Sequence, residues 1–171
     1  MMLNSLEDIL AGAAPDIGRR WISKIREAKH LKGLNQISES ELLSVHESVL
    51  HVLAGWFDGS VDKDIMGAFF VMMGKEYCAQ GIPLSELTFS MRLDRKAVRE
   101  HLVDNTVVEG ASRMYALLET CDELSEFFML AAYYLIKGFL EETFLRIEKN
   151  EKLSTDILTK YFKDDFFFKT D

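Results

Sequence analysis

KEYCAQGIPLSELTFSMRLDRKAVREHL, residues 75–102, decides how this chain folds. A helical run stops at Gly81, crosses Ile82-Pro83 and restarts at Leu84 as a charged helix. A glycine after the last turn can take the left-handed conformation that closes a helix, because it carries no Cβ. Proline cannot extend the old helix, yet its fixed φ suits the start of a new one. Gly81 and Pro83 are therefore expected to form a structural joint between two helices.

Helix signals recur on both sides of the joint. Ser5 with Asp8 opens a first segment, and Pro15 suits the first turn of the next, where Ile17, Trp21 and Ile25 share a face. HLKGLNQ (30–36) reads as a loop. Ser38 and Glu41 form a capping box before Leu42, Val49, Leu53 and Trp56, and Gly59 stops that helix. The helix leading into the joint carries Ile65, Phe69, Met72, Met73 and Tyr77. Beyond the joint, Asp104 and Asn105 break the chain, and Thr106 with Glu109 makes another capping box. The run that follows reaches about Ile147, with an interruption expected near Thr120–Asp122, where Thr120 and Glu123 fit the same box. Its Leu117, Cys121, Leu124, Phe128, Leu135 and Phe139 recur every three or four residues or multiples of that, which makes it the central helix.

Composition agrees with a helical reading. The chain has 171 residues, two prolines, ten glycines and 48% hydrophobic residues. A domain of this size buries about 70% of its unfolded surface and needs no staple. The two cysteines, Cys78 and Cys121, lie far apart in apolar helical contexts and read as reduced thiols of a cytoplasmic protein. Glu7 and Asp8 stand where a signal peptide would be apolar. The longest apolar run, FFMLAAYYLI (127–136), is half a membrane crossing and reads as a core helix. The formal charge is −8 and the pI about 5.1, so nucleic acid and anionic membrane would be repelled. The fold expected is all-α: a single helical bundle of five or six helices, with a globin-like arrangement as the other natural architecture. Residues 1–150 form the helical sensor or scaffold domain, and 151–171 a tail carrying Tyr161, Phe162, Phe166, Phe167 and Phe168.

The helix after the joint has two arcs at 100° per residue. Leu84, Leu87, Met91, Val98 and Leu102 share an apolar arc; Arg92, Arg95, Lys96 and Arg99 share a basic one beside it. The basic arc is either a solvated face or a contact surface for an acidic partner. Asp94 falls inside the apolar arc, with Ser90 and His101 near its edge. A carboxylate facing a core must be paired or it costs several kcal/mol. Asp94 is expected to cap a neighbouring helix or to pair with Arg19 or Arg20; the alternative is a polar site with His101 lining a pocket.

GIPLSELTFSMRLDRKAVREHL (81–102) resembles the signature region of the RsbT co-antagonist RsbRD N-terminal domain family, and Trp21 with Ile25 fits that family's first helix. The likeness extends over roughly residues 5–145, with 81–99 the specific block. The resemblance implies an all-helical sensory or scaffold domain of bacterial stress signalling, in a regulatory group whose members have haemless globin-like folds. It also implies an output module after the domain, whereas here only a short tail follows. The chain is then either a standalone sensor working through a partner or an excised piece. The aromatic tail is accordingly a docking element, or it folds back on the bundle.

Motifs for enzyme chemistry are missing: no Gly-rich phosphate loop, no nucleophile elbow and no HExxH occur. The histidines His30, His46, His51 and His101 lack metal spacing, and His46 and His51, five apart, point to different helix faces. A haem would need one axial histidine, for which His101 or His46 are the candidates, although neither is marked as proximal. A fatty acid among Phe69, Phe70, Met72, Met73 and Phe128 is the other ligand reading, set against plain core packing. The sequence reading is a signalling domain rather than an enzyme, without a cofactor. It acts through an unidentified protein partner and pairs as a homodimer, with a small apolar ligand as the alternative.

Overall fold

The computed structural model describes residues 6–106 and 110–149. Five α-helices follow in order: α1 Leu6–Glu27, α2 Glu39–Asp58, α3 Lys63–Gln80, α4 Leu84–Asn105 and α5 Ala111–Lys149, with one 3-10 turn at Leu34–Gln36. No strand occurs among the described residues, and the helices pack as a bundle. Helix α5 has 39 residues and at 1.5 Å per residue runs about 58 Å, far beyond its neighbours. It lies along α3 over the most extensive contact in the molecule and also meets α4, while α1 packs on α2 and α4.

Local chemistry sets the helix ends. The Ser38 hydroxyl accepts from the Glu41 N–H, and Asp62 accepts from the N–H groups of Asp64 and Ile65. Gly59 and Gly81 close α2 and α3 at φ 79° and 76°. At the joint the Gly81 N–H donates to the Cys78 carbonyl and the Ile82 N–H to the Tyr77 carbonyl. Pro83, extended at φ −62° and ψ 141°, caps α4. The Asn35 amide donates to the carbonyls of Ile25, Ala28 and Leu31 and so finishes α1.

The core combines Ile17, Trp21 and Ile25 of α1, Leu42, Val49 and Leu53 of α2, and Phe127, Leu135 and Phe139 of α5, all buried. Three local expectations are corrected and one is refined. Pro15 lies inside α1 rather than at the start of a second helix. Proline removes one backbone hydrogen bond there, and burial of Ile17, Trp21 and Ile25 holds the helix beyond it. The 30–36 loop contains the 3-10 turn, anchored by buried Leu31 and Leu34. Helix α5 is continuous through Thr120, whose hydroxyl bonds to the Ala116 carbonyl within the helix instead of capping a new one. The buried face of α3 is Met66, Phe70, Met73 and Tyr77, while Ile65 and Met72 are half exposed.

Glycines explain that last rotation. Gly74 and Gly138 let α3 and α5 touch backbone to backbone: a Cβ on Gly74 would lie 2.1 Å from the Leu135 carbonyl oxygen, and one on Gly138 would lie 2.0 Å from that of Val71. Gly67 lies against the Tyr134 ring on the same side. The glycine side of α3 must therefore face α5, whatever the apolar pattern allows. The Glu109 half of the Thr106 capping box and the tail 151–171 lie outside the described residues. Thr106 itself donates to the Leu102 carbonyl.

Candidate functional site

The inward side of α4 carries a line of polar groups. Glu86, Ser90 and Asp94 stand four residues apart, and His101 falls on the same line two turns further on. All four are buried. Each is engaged by the protein itself. The Glu86 carboxylate accepts from the N–H groups of Gly33 and Leu34 at 3.1 and 3.0 Å, which ties the 3-10 turn to α4. The Ser90 carbonyl accepts from Trp21 Nε1 at 3.1 Å, and the Ser90 hydroxyl donates back to the Leu87 carbonyl. Asp94 Oδ1 meets His46 Nε2 of α2 at 3.0 Å. Trp21 stacks on the His46 ring at 5.1 Å between centroids, and Gly18 leaves room for that ring because a Cβ there would lie 3.3 Å from Nδ1.

This overturns the expected surroundings of Asp94. Its partner is His46, not Arg19, Arg20 or His101. Arg20 instead donates to Asp104 at 2.7 Å, and Arg19 pairs with Asp16. His101 Nδ1 faces the Asn105 amide at 3.3 Å. Burial, with nearby Arg20 as the next cause, pushes the His101 pKa below its ordinary value. Asp94 and His101 thus serve separate contacts about 10 Å apart along the helix. Among the described residues no buried side-chain nitrogen or oxygen lacks a partner. The polar line is therefore a set of ties from α4 to α1, α2 and the 30–36 loop. His46 and Glu86 were not singled out as its members from sequence, although the four-residue spacing of Glu86, Ser90 and Asp94 was readable.

The outward side of α4 carries the basic arc. Arg92, Lys96 and Arg99 are exposed and Arg95 is half-buried. Lys96 lies 3.8 Å from Glu100, which also receives Lys24 at 2.9 Å. The guanidinium of Arg92 lies 5.5 Å from the Phe89 ring centre. No described carboxylate pairs with Arg92, Arg95 or Arg99.

Two of the grooves formed by described residues lie along α2–α3 and α4–α5. One, of about 220 Å³ between α2 and α3, is lined by Val45, Phe69, Met72, Met73 and Tyr77 with Glu41 and Glu76 among its polar residues. Burial raises the Tyr77 hydroxyl to about 12. The other, of about 180 Å³ between α4 and α5, is lined by Thr88, Met91, Arg92, Arg95, Phe128 and Met129. The five residues considered for an apolar ligand are thus divided: Phe69, Met72 and Met73 line the first groove, Phe128 the second, and Phe70 packs against Phe127 in the core. Neither groove is lined by a histidine. Among the described residues no three His, Cys, Asp or Glu side chains converge as metal ligands, and no helix is long and apolar enough to cross a membrane.

Comparison with known proteins adds the family. No curated protein and no solved structure matches the chain. The family model described as the RsbT co-antagonist protein RsbRD N-terminal domain matches residues 15–151, most of the chain and all of α2, α3, α4 and α5. With Trp21, the Gly81–Pro83 joint and the inward line of α4 all inside that span, the chain belongs to the RsbT co-antagonist protein RsbRD N-terminal domain family, whose name places it among regulatory domains of bacterial stress signalling.

Proposed function

We propose that the protein is a non-enzymatic regulatory domain of the cytoplasm that works by binding an acidic protein surface through the outward face of α4. The supporting observation is that Arg92, Arg95 and Arg99, at i, i+3 and i+7, have no ion-pair partner among the described residues, on a chain of net charge −8. One acidic surface meets all three, and a local positive stripe on an acidic protein steers such a partner to one face. The inward ties of Glu86, Ser90 and Asp94 hold that face rigid against α1 and α2. Cysteines kept as thiols, Cys78 with its Sγ 3.4 Å from the Thr143 hydroxyl, suit a reducing compartment.

The test is a pull-down from native lysate with wild type and an Arg92→Gln/Arg95→Gln/Arg99→Gln variant, alongside circular dichroism. The variant should stay folded, because exposed charges contribute little to stability. Its partner recovery should fall, with the larger difference at low salt, where screening is least. A folded variant with the same partners removes the stripe from the function.

The active form we propose is a homodimer. Tyr133, Leu140 and Phe144 leave 59%, 49% and 64% of their surface exposed on one side of α5. Paired long helices would cover such a stripe. Light scattering of wild type against Tyr133→Glu/Leu140→Glu tests it, and a monomeric wild type rejects it. A second reading, a small apolar ligand in the α2–α3 groove, is favoured by Phe69, Met72 and Met73 at its wall. Its 220 Å³ falls below the roughly 300 Å³ at which drug-sized sites begin, so only a small or partly exposed ligand fits. Mass spectrometry of the extracted protein would detect one.

A further inference from the structure

We propose that the segment Asp164-Asp165-Phe166-Phe167-Phe168 of this chain docks into the groove between α4 and α5. Its carboxylates would meet Arg92 and Arg95, and its rings would lie on Met91, Phe128 and Met129. The segment belongs to residues outside those described; the groove that receives it is fully described.

Three observations single out this occupant. The first is charge. The groove's two arginines have no described carboxylate partner, and on a chain with 28 acidic and 20 basic residues such a rim is an exception. Two adjacent aspartates followed by three phenylalanines present the complementary order: acid for the rim, aromatic for the floor. The second is shape. At about 180 Å³ the groove is too small for a whole drug-sized ligand but takes side chains of an extended segment. Met129, 67% exposed, would be covered by such a segment. Each docked phenylalanine could bury up to about 150–200 Å², whereas partly exposed Arg–Asp pairs add little energy and mainly fix position.

The third observation is reach. From Lys149, the end of α5, back to Ala132 in the groove is 17 residues, or about 26 Å of helix. Residues 150–164 extended span up to about 50 Å. The chain can therefore turn and return with slack, and loop closure of this length adds only a modest entropic cost.

Docking there would cover Arg92 and Arg95, two of the three arginines assigned above to partner binding. The tail would then compete with an acidic partner. That consequence rests on the partner reading, whereas docking itself is measured with no partner present.

The experiment is hydrogen exchange on the full chain read by mass spectrometry. Wild type is compared with Arg92→Glu/Arg95→Glu, with Asp164→Arg/Asp165→Arg, and with the two combined. Residues 164–168 should exchange about tenfold slower in wild type than in either charge-reversed chain, and the combined variant should regain the protection. Asp164→Arg/Asp165→Arg leaves the described bundle untouched, so it decides the matter even if the arginine variant unfolds. An unprotected wild-type segment overturns the proposal, as does protection indifferent to both reversals. Protection that disappears on dilution places the segment on a second copy and overturns docking within one chain.

Discussion

His46 and Asp94 meet at 3.0 Å with their side chains 1% and 3% exposed, and Trp21 stacks on the imidazole. One contact thus joins α1, α2 and α4. Removing one partner leaves the other buried polar group unsatisfied, at a typical cost of about 1–3 kcal/mol. Asp94→Ala should lose stability in that range in urea unfolding with an unchanged m-value. His46→Leu/Asp94→Leu should lose less than the sum of its two single variants, by about 0.5–3 kcal/mol. Additive losses would show that the two side chains act separately.

Gly138 sits where a Cβ would lie 2.0 Å from the Val71 carbonyl oxygen, so α3 and α5 would have to separate. Gly138→Ala gains up to about 1 kcal/mol of helix propensity yet should lose more to the clash, since overpacking typically costs about 1–3 kcal/mol. Gly12, also within a helix, has nothing within 4 Å of its Cβ position, so Gly12→Ala should stabilise. Melting temperatures of the two variants should move in opposite directions. A neutral Gly138→Ala would refute the backbone contact.

Gly81 holds φ 76°, a region that costs a side chain about 1–2 kcal/mol. For a domain of this size that is roughly 2–8 °C in melting temperature. Gly81→Val should show the full loss and Gly81→Asn less, because asparagine tolerates the left-handed region. Equal behaviour of the two variants would mean that α3 does not end on a left-handed residue.

Where the chain names its own helix ends, the sequence is readable. Ser38, Gly59 and Gly81 each specify a cap through one local interaction, and each sits where that interaction requires. The apolar face of α1 was readable too, because Ile17, Trp21 and Ile25 stand among polar neighbours. Helix α3 was not. In Ile65-Met66-Gly67-Ala68-Phe69-Phe70-Val71-Met72-Met73 nearly every position is apolar, so periodicity cannot choose a face. The choice is made by Gly67 and Gly74 against a helix some 65 residues away in sequence. The polar line of α4 was half readable. Asp94 stood out as a carboxylate in an apolar arc, but its partner depends on how α2 crosses α4, which no local pattern encodes. His46 therefore looked like any lone histidine. The basic arc was legible as a stripe; that Arg92, Arg95 and Arg99 have no carboxylate partner among the described residues is legible only in three dimensions.

His101 provides a test of burial through pH. The side chain is 8% exposed, and burial followed by the charge of Arg20 holds its pKa below the usual value near 6.5. Asp16 and Asp104 act in the opposite direction without reversing it. The folded protein therefore keeps His101 neutral at a pH where the unfolded chain already takes a proton. Because the unfolded state binds more protons in that window, stability falls as pH drops. The loss begins as pH passes below about 6.5 and grows until the folded-state pKa is reached. Urea midpoints between pH 7.5 and 5.5 should decline for wild type and decline less for His101→Gln. Proton NMR of the His101 ring should give a midpoint below the ordinary value. Arg20→Gln should raise that midpoint by the smaller part of the shift, because burial is the larger cause and remains in the variant. Full recovery in Arg20→Gln would make charge, not burial, the cause. A wild-type midpoint at or above 6.5 would place His101 in contact with water or with a carboxylate, and the inward line of α4 would end at Asp94.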